Sequence, residues 1–187
     1  MKIAITGHTT GIGKAFFDFY TSEGHEVVGY SRSNGYDFAD ESNIGRAVSE
    51  IVDCDMLINN AYYNNCQIKL MHMLHHFWKA KTDKIHIVIG SRAADIPTPN
   101  AKYSEIKKSI DQVAIELQKV AAYRLLVVKP GRVNTPTYLK MMKEPKPMID
   151  ANNLVVFIDT LINNRTLDVV SITVEPTIIN REQDAVI

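Results

Sequence analysis

Five short apolar runs, each closed by turn residues and most followed by a stretch of helical periodicity, constrain this chain more than any single residue. They are Ile3-Ala4-Ile5-Thr6, Glu26-Val27-Val28-Gly29-Tyr30, Met56-Leu57-Ile58-Asn59, Ile85-His86-Ile87-Val88-Ile89 and Leu125-Leu126-Val127-Val128. Near-continuous apolar strands of this length belong to sheets covered on both faces. Helical spacing fills the gaps. A helix following Gly13 carries Ala15, Phe16, Phe19 and Tyr20 and stops at Gly24. Asp40 or Ser42 caps a second helix through Ile44, Val48 and Ile51. A third presents Ile68, Leu70, Met71, Leu74, Phe77 and Trp78. A long one, from about Lys102 to Ala121, presents Ile106, Ile110, Val113, Ala114 and Leu117. Ser31 to Gly35 is turn chemistry, followed by a brief additional strand, Tyr36-Asp37-Phe38. A helix near 153–162 and a strand near 169–174 complete the pattern. Strands alternating with amphipathic helices predict parallel βαβ units: an α/β, Rossmann-like, doubly wound sheet with helices on both faces. Its ligand crevice lies beyond the carboxyl ends of the strands, where the strand order reverses.

The length, 187 residues, predicts one domain over residues 1–187. Zero net charge supplies no field for polyanions, which argues against nucleic acid and anionic membrane surfaces as partners. No apolar run approaches the ~20 residues that span a bilayer, and Met1-Lys2 leads straight into a strand instead of a signal peptide. Cys54 and Cys66 form no CxxC pair, so the expectation is a reducing, cytoplasmic setting with both thiols buried as small apolar groups.

Groups with chemical potential fall at the ends of these strands. Thr6-Gly7-His8-Thr9-Thr10-Gly11-Ile12-Gly13 follows the first strand and opens the first helix. Glycines there permit a tight turn and close approach of a pyrophosphate, while helix N-terminal amides bind the anion. Asn59-Asn60-Ala61 ends the next inner strand and is equally readable as an Asx turn. Gly90-Ser91 offers a hydroxyl, either to a substrate oxygen or to the following turn. Pro130-Gly131-Arg132-Val133-Asn134-Thr135-Pro136 is a chain stop whose backbone and Thr135 would face a ligand in the crevice. Finally, Tyr103 and Lys107 are four apart on the long helix and share a face. An ammonium beside a phenol stabilises its anion, so the pair predicts a Tyr103 tuned downward for proton transfer.

Taken together and in order, these motifs resemble the short-chain dehydrogenases/reductases along nearly the whole chain. TGxxxGIG is matched from Thr6 to Gly13, NNAG by Asn59-Asn60-Ala61 with Tyr62 in place of glycine, the catalytic serine by Ser91, YxxxK by Tyr103 and Lys107, and PGxVxT by Pro130, Gly131, Val133 and Thr135. The resemblance implies hydride transfer between a nicotinamide and a carbonyl or alcohol substrate. Tyr103 would be the general acid in reduction and the base in oxidation, and Ser91 would hold the substrate oxygen. Lys107 would bind the nicotinamide ribose and lower the phenol pKa. It also implies cofactor contacts from Gly7, Thr9, Thr10, Gly11, Ile12, Gly13, Asn60, Ala61, Pro130, Gly131, Val133 and Thr135, with Asp37 and Phe38 flanking an adenine. At the end of the second strand a carboxylate would select NAD(H). Ser31-Arg32-Ser33 carries none, which predicts NADP(H) over NAD(H). A homodimer or homotetramer through the third and fourth helices is expected by the same resemblance.

The chain departs from the family pattern in several places. Residues 31–36 leave no room for the usual helix, and the stretch from Asn59 to Ser91 is short. The family's fourth catalytic residue, an asparagine, has no clear counterpart beyond Asn64 or Asn65. Ser91 stands one residue nearer Tyr103 than is usual. The lid from Thr135 to Met148 is brief, and Tyr138, Leu139, Met141, Met142 and Met148 either line an apolar pocket or pack beneath the loop. His72 and His76 share a helix face but have no carboxylate or thiolate nearby to complete a metal site. The rival reading is a cofactor-binding sensor or scaffold that keeps this fold without catalysis.

Overall fold

The computed structural model describes residues 1–177 except positions 97, 143, 145 and 165, so the last ten residues of the expected domain lie outside the described chain. Six strands, β1 (Lys2–Thr6), β2 (Glu26–Tyr30), β3 (Met56–Asn59), β4 (Ile85–Ile89), β5 (Arg124–Pro130) and β6 (Ser171–Val174), form one sheet. Their order is β2-β1-β3-β4-β5-β6, and every neighbouring pair is parallel. From β1 the chain moves outward to β2, then crosses back to β3 on the other side of β1. That reversal opens the crevice between the carboxyl ends of β1 and β3.

The helices are α1 (Gly11–Ser22), α2 (Glu41–Ile51), α3 (Cys66–Trp78), α4 (Ala101–Gln118), α5 (Pro136–Met141) and α6 (Ala151–Asn163). The two-residue period of the strands assigns side chains to the two faces. Ile3, Ile5 and Ile58 pack with Phe16 and Tyr20 of α1 and with Leu154 and Ile158 of α6. Ala4, Leu57 and Val88 pack on the opposite face with Ile44 of α2, Leu70 and Trp78 of α3, and Ile110 of α4. The doubly wound α/β architecture expected from the alternation of elements is therefore the one observed.

Local differences have local causes. The first helix begins at Gly11 instead of after Gly13, because Gly11 adopts a φ of +58° that turns the chain into the helix early. Tyr36-Asp37-Phe38 is no strand. The Asp37 carboxylate accepts from the Ala39 amide to form a turn, and Phe38, 6% exposed, joins the core beneath α2. Asp40, the first of the two candidate caps, accepts from the Ser42 amide. Phe77, placed by periodicity among the apolar positions of α3, is 50% exposed, because Leu74 and Trp78 take the inward-facing positions. Pro136–Met141 forms a short extra helix with proline in its first turn and Thr135 as its cap, accepting from the Tyr138 amide.

Two helix entries differ in a way that bears on the site. The Asp150 carboxylate accepts from the amides of both Asn152 and Asn153 at the start of α6. Thr10, at the start of α1, makes no side-chain cap bond. We therefore expect Asp150→Ala to lower unfolding free energy by about 1 kcal/mol. Thr10→Ala should change it by only a few tenths in the same urea titration. Equal losses would contradict this assignment of the caps.

Candidate active site

The glycine turn is built around backbone that tolerates no side chain. Gly7 has a φ of +69°, and a Cβ on Gly13 would lie 2.2 Å from the Gly7 carbonyl oxygen and 2.6 Å from Asn60 Nδ2. The first turn of α1 thus rests directly on the turn that precedes it. Asn60 braces the arrangement: its Nδ2 donates to the carbonyls of Thr6 (3.1 Å) and Gly7 (3.3 Å). The amides of Asn60 and Ala61 both donate to Thr6 Oγ1 at 2.9 Å. With Thr10 making no cap and no acid in the first turn of α1, the helix N-terminus keeps its amides for an anion. The exposed Thr9 and Thr10 border that position. A cradle closed to any Cβ, opening onto an uncapped helix, fits a dinucleotide pyrophosphate. His8, which motif reading passed over, lays its ring across Gly29, where a Cβ would fall 2.2 Å from it.

At the far end of β2, Ser31 is buried, and its hydroxyl lies 2.8 Å from that of Ser33 while its amide donates to Asn34 Oδ1. The hydroxyl is therefore engaged in shaping a single 3-10 turn, Arg32–Asn34, which ends on Gly35 at φ +87°. Arg32 is exposed on that turn. The Arg46 guanidinium stacks 4.3 Å above the Tyr36 ring and donates to the Gly35 carbonyl, adding a second cation beside the turn.

Ser91 follows β4, and its Oγ accepts from the Ala93 amide at 3.2 Å. The shortened loop after it is accommodated by a 3-10 turn, Arg92–Ala94, and by Asn100, whose side chain accepts from the Tyr103 amide to start α4. Two residues into that helix stands Tyr103, whose phenol pKa is raised by burial; the Ser91 hydroxyl, lining the same cavity, pulls it down by less. The expected downward tuning by Lys107 is not what this arrangement does. The Lys107 ammonium lies 5.7 Å from the Tyr103 ring centroid and points elsewhere.

It points into the protein. Lys107 is 3% exposed, and its Nζ donates to Gln67 Oε1 at 2.8 Å and to the Ile89 carbonyl at 2.9 Å. Burial depresses its pKa to about 8, against opposing pulls from Cys66 and Asp111. Gln67, 1% exposed, donates from Nε2 to the carbonyls of Asn59 (2.7 Å) and Ile89 (3.0 Å). Asn59 Nδ2 returns a bond to the Gln67 carbonyl at 3.0 Å. Sequence reading missed Gln67. Its signal was present: it precedes Leu70, Met71, Leu74 and Trp78 on the buried stripe of α3, where a polar residue demands a partner. Asn64 lies in the preceding turn at φ +43° and Asn65 stands before α3; among the described hydrogen bonds neither side chain reaches Lys107.

One cavity of about 200 Å³ gathers Ile12 from the glycine turn, Asn60 and Tyr62 after β3, and Gly90 and Ser91 after β4. Tyr103 and Lys107 join from α4, and Pro130, Gly131, Val133 and Thr135 from the loop after β5. Of the five candidate lid residues, Tyr138 lines it, whereas Leu139 and Met141 are exposed outside. Ser31, Arg32, Asp37 and Phe38 do not border this cavity; they lie in the segment between β2 and α2. His72 and His76 are exposed on the outer face of α3, and no cluster of three or more metal-ligating side chains occurs among the described residues.

No family model matches the sequence, and no curated protein matches it. Solved structures do. A 3-alpha-hydroxysteroid dehydrogenase from a Pseudomonas species, complexed with NADH, superposes with a TM-score of 0.76 at 18% identity, covering 100% of both chains. A 3-ketoacyl-(acyl-carrier-protein) reductase from Brucella melitensis, also complexed with NADH, gives 0.74 at 20% identity over 93% of this chain and 96% of that one. A short-chain dehydrogenase from Burkholderia cenocepacia in complex with NADP gives 0.75 at 19% identity over 98% and 91%. The chain has the fold of the short-chain dehydrogenases/reductases.

Proposed function

We propose that this chain is a nicotinamide-dependent oxidoreductase of the short-chain dehydrogenase/reductase type, acting on a carbonyl or alcohol substrate. The observation that carries the reading is the convergence of Ser91, Tyr103 and Lys107 on the cavity that also receives the glycine turn. A bound nicotinamide would supply or accept the hydride. The Ser91 hydroxyl holds the substrate oxygen next to the Tyr103 phenol, which donates a proton to the developing alkoxide in reduction and takes one back in oxidation. The Lys107 ammonium, held by Gln67 and Ile89 away from the phenol, lines the same cavity and supplies positive charge toward the developing alkoxide. NADP(H) is favoured over NAD(H), supported by the missing carboxylate at 31–33 and by Arg32 exposed at the end of β2. The reading includes a cytoplasmic homodimer or homotetramer, for which the exposed Met73 and Phe77 on α3 and Ile115 and Val120 near α4 are the supporting surface.

Tyr103→Phe should reduce NADPH-dependent carbonyl turnover by about 10²- to 10⁴-fold and leave NADPH affinity, read by fluorescence quenching, within about twofold. Wild-type turnover in that variant would end the proposal, and a sensor that only binds cofactor would show no turnover to lose. Arg32→Ala should weaken NADPH binding about tenfold, the loss of a charge-assisted contact, while NADH affinity stays unchanged. Tighter binding of NADH than NADPH by the unaltered protein would refute the cofactor preference.

The pH dependence has a defined sign. Lys107 in the folded protein titrates near 8, below its ordinary 10.5, so its charge is present below about pH 8 and lost above it. Carbonyl reduction should therefore decline as pH rises through about 8. Gln67→Leu removes an acceptor from the charged form and should move this alkaline limb to lower pH, whereas Gln67→Glu should move it to higher pH. Coincident profiles for all three proteins would exclude Gln67 from positioning the ammonium. In stability, burying the charged lysine is unfavourable below about pH 8, and that penalty is relieved between about 8 and 10.5.

A further inference from the structure

Tyr62 stands immediately after Asn59-Asn60-Ala61, and the turn that follows it puts its ring against both proton-handling side chains. Its ring centroid lies 5.0 Å from that of Tyr103 at an interplanar angle of 76°, edge to face, and Lys107 Nζ lies 5.3 Å from its ring. Tyr62 is 45% exposed, so the part of the ring not committed to Tyr103 remains open. Tyr138 of α5 lines the same cavity, and Ile12 and Val133, expected also to meet the cofactor, complete an apolar wall. Lys107 is the one charged side chain on that wall among the described residues, and its ammonium is directed at Gln67 and Ile89. A carboxylate or phosphate entering here would be desolvated without a free cation to meet it.

We propose that Tyr62 is a specificity-determining residue that selects neutral, flat, aryl-bearing carbonyl compounds. The substrate ring lies against Tyr62, and the carbonyl oxygen reaches Ser91 and Tyr103. The inference rests on the oxidoreductase reading above and narrows its substrate class. An aromatic pair of this kind contributes roughly two- to tenfold in affinity.

The test compares kcat/KM with NADPH for benzaldehyde, butanal and 4-carboxybenzaldehyde in the unaltered protein, Tyr62→Phe and Tyr62→Ala. Benzyl alcohol binding to each protein with NADP⁺ present is read separately by saturation-transfer NMR. The unaltered protein should prefer benzaldehyde to the other two. Tyr62→Phe should keep that order, and Tyr62→Ala should cut the benzaldehyde-to-butanal ratio roughly two- to tenfold and weaken benzyl alcohol to a similar degree. An unchanged ratio in Tyr62→Ala, or a preference for 4-carboxybenzaldehyde, would overturn the assignment while leaving the oxidoreductase reading intact. So would NADPH binding about tenfold tighter in Tyr62→Ala at a constant substrate ratio, which would mean that the ring fills cofactor space. Tyr62-dependent binding of benzyl alcohol without reduction of any carbonyl would uphold the aromatic site and overturn the oxidoreductase reading. Neither binding nor turnover would overturn both.

Discussion

Two backbone amides converge on one buried hydroxyl at the point where the sheet order reverses, and the site is arranged around that junction. Thr6 Oγ1 accepts from Asn60 N and Ala61 N, each at 2.9 Å, while Asn60 Nδ2 reaches back to the carbonyls of Thr6 and Gly7. The ends of β1 and β3 are thereby locked to each other beyond the last rung of their ladder. Removing the hydroxyl would leave two inward-facing amides unsatisfied, at about 1–3 kcal/mol each. The lock sets the height of the glycine turn, the entry of α1 against it, and the direction in which the chain leaves β3 toward Tyr62. Pyrophosphate cradle and aromatic wall are held by the same junction.

A second buried polar system lies beneath the first. Lys107, Gln67, Asn59 and the Ile89 carbonyl form a connected set in which a charged group is held without contact to bulk water. Such an arrangement is costly unless its members are paired, and most of these are. Asn59 Nδ2 also lies 3.4 Å from His86 Nε2. If Asn59 donates there, the imidazole proton sits on Nδ1, which has no partner, as Asn59 Oδ1 has none. Complete burial lowers the His86 pKa to about 3, so the ring stays neutral through the range in which Lys107 titrates. The polar set accordingly contributes one titrating group to the site. Burial shifts the phenol upward and the lysine downward, and Lys107 is the one charged side chain lining the cavity among the described residues.

Much of the architecture was legible in the chain because it depends on short-range repetition. Apolar runs such as Ile3-Ala4-Ile5 and Ile85 to Ile89 can be satisfied only inside a covered sheet, and the intervening helical stripes supply the cover. The glycines of the first turn, the Tyr103–Lys107 spacing and the Pro130–Gly131 stop were equally visible, since each expresses a local backbone or helical constraint. Phe38 and Phe77 show the limit of such reading. Both are apolar and lie in plausible patterns, yet one is core and the other half-exposed, because the layer packed above each one decides its burial.

Residue order alone therefore determined the class of fold, the strand-end position of the crevice, and which residues carry reactive groups. Tertiary structure alone decided where those groups point and what they feel. It turned the Lys107 ammonium toward Gln67 and away from the phenol, raised the phenol pKa instead of lowering it, engaged Ser31 in its own turn, and brought Tyr62 against Tyr103. The physical reason is that hydrogen-bond direction, desolvation and ring contact depend on atoms tens of residues apart in the chain, as Lys107 and Gln67 are. Spacing along a helix specifies a shared face, but the neighbouring elements determine what that face meets.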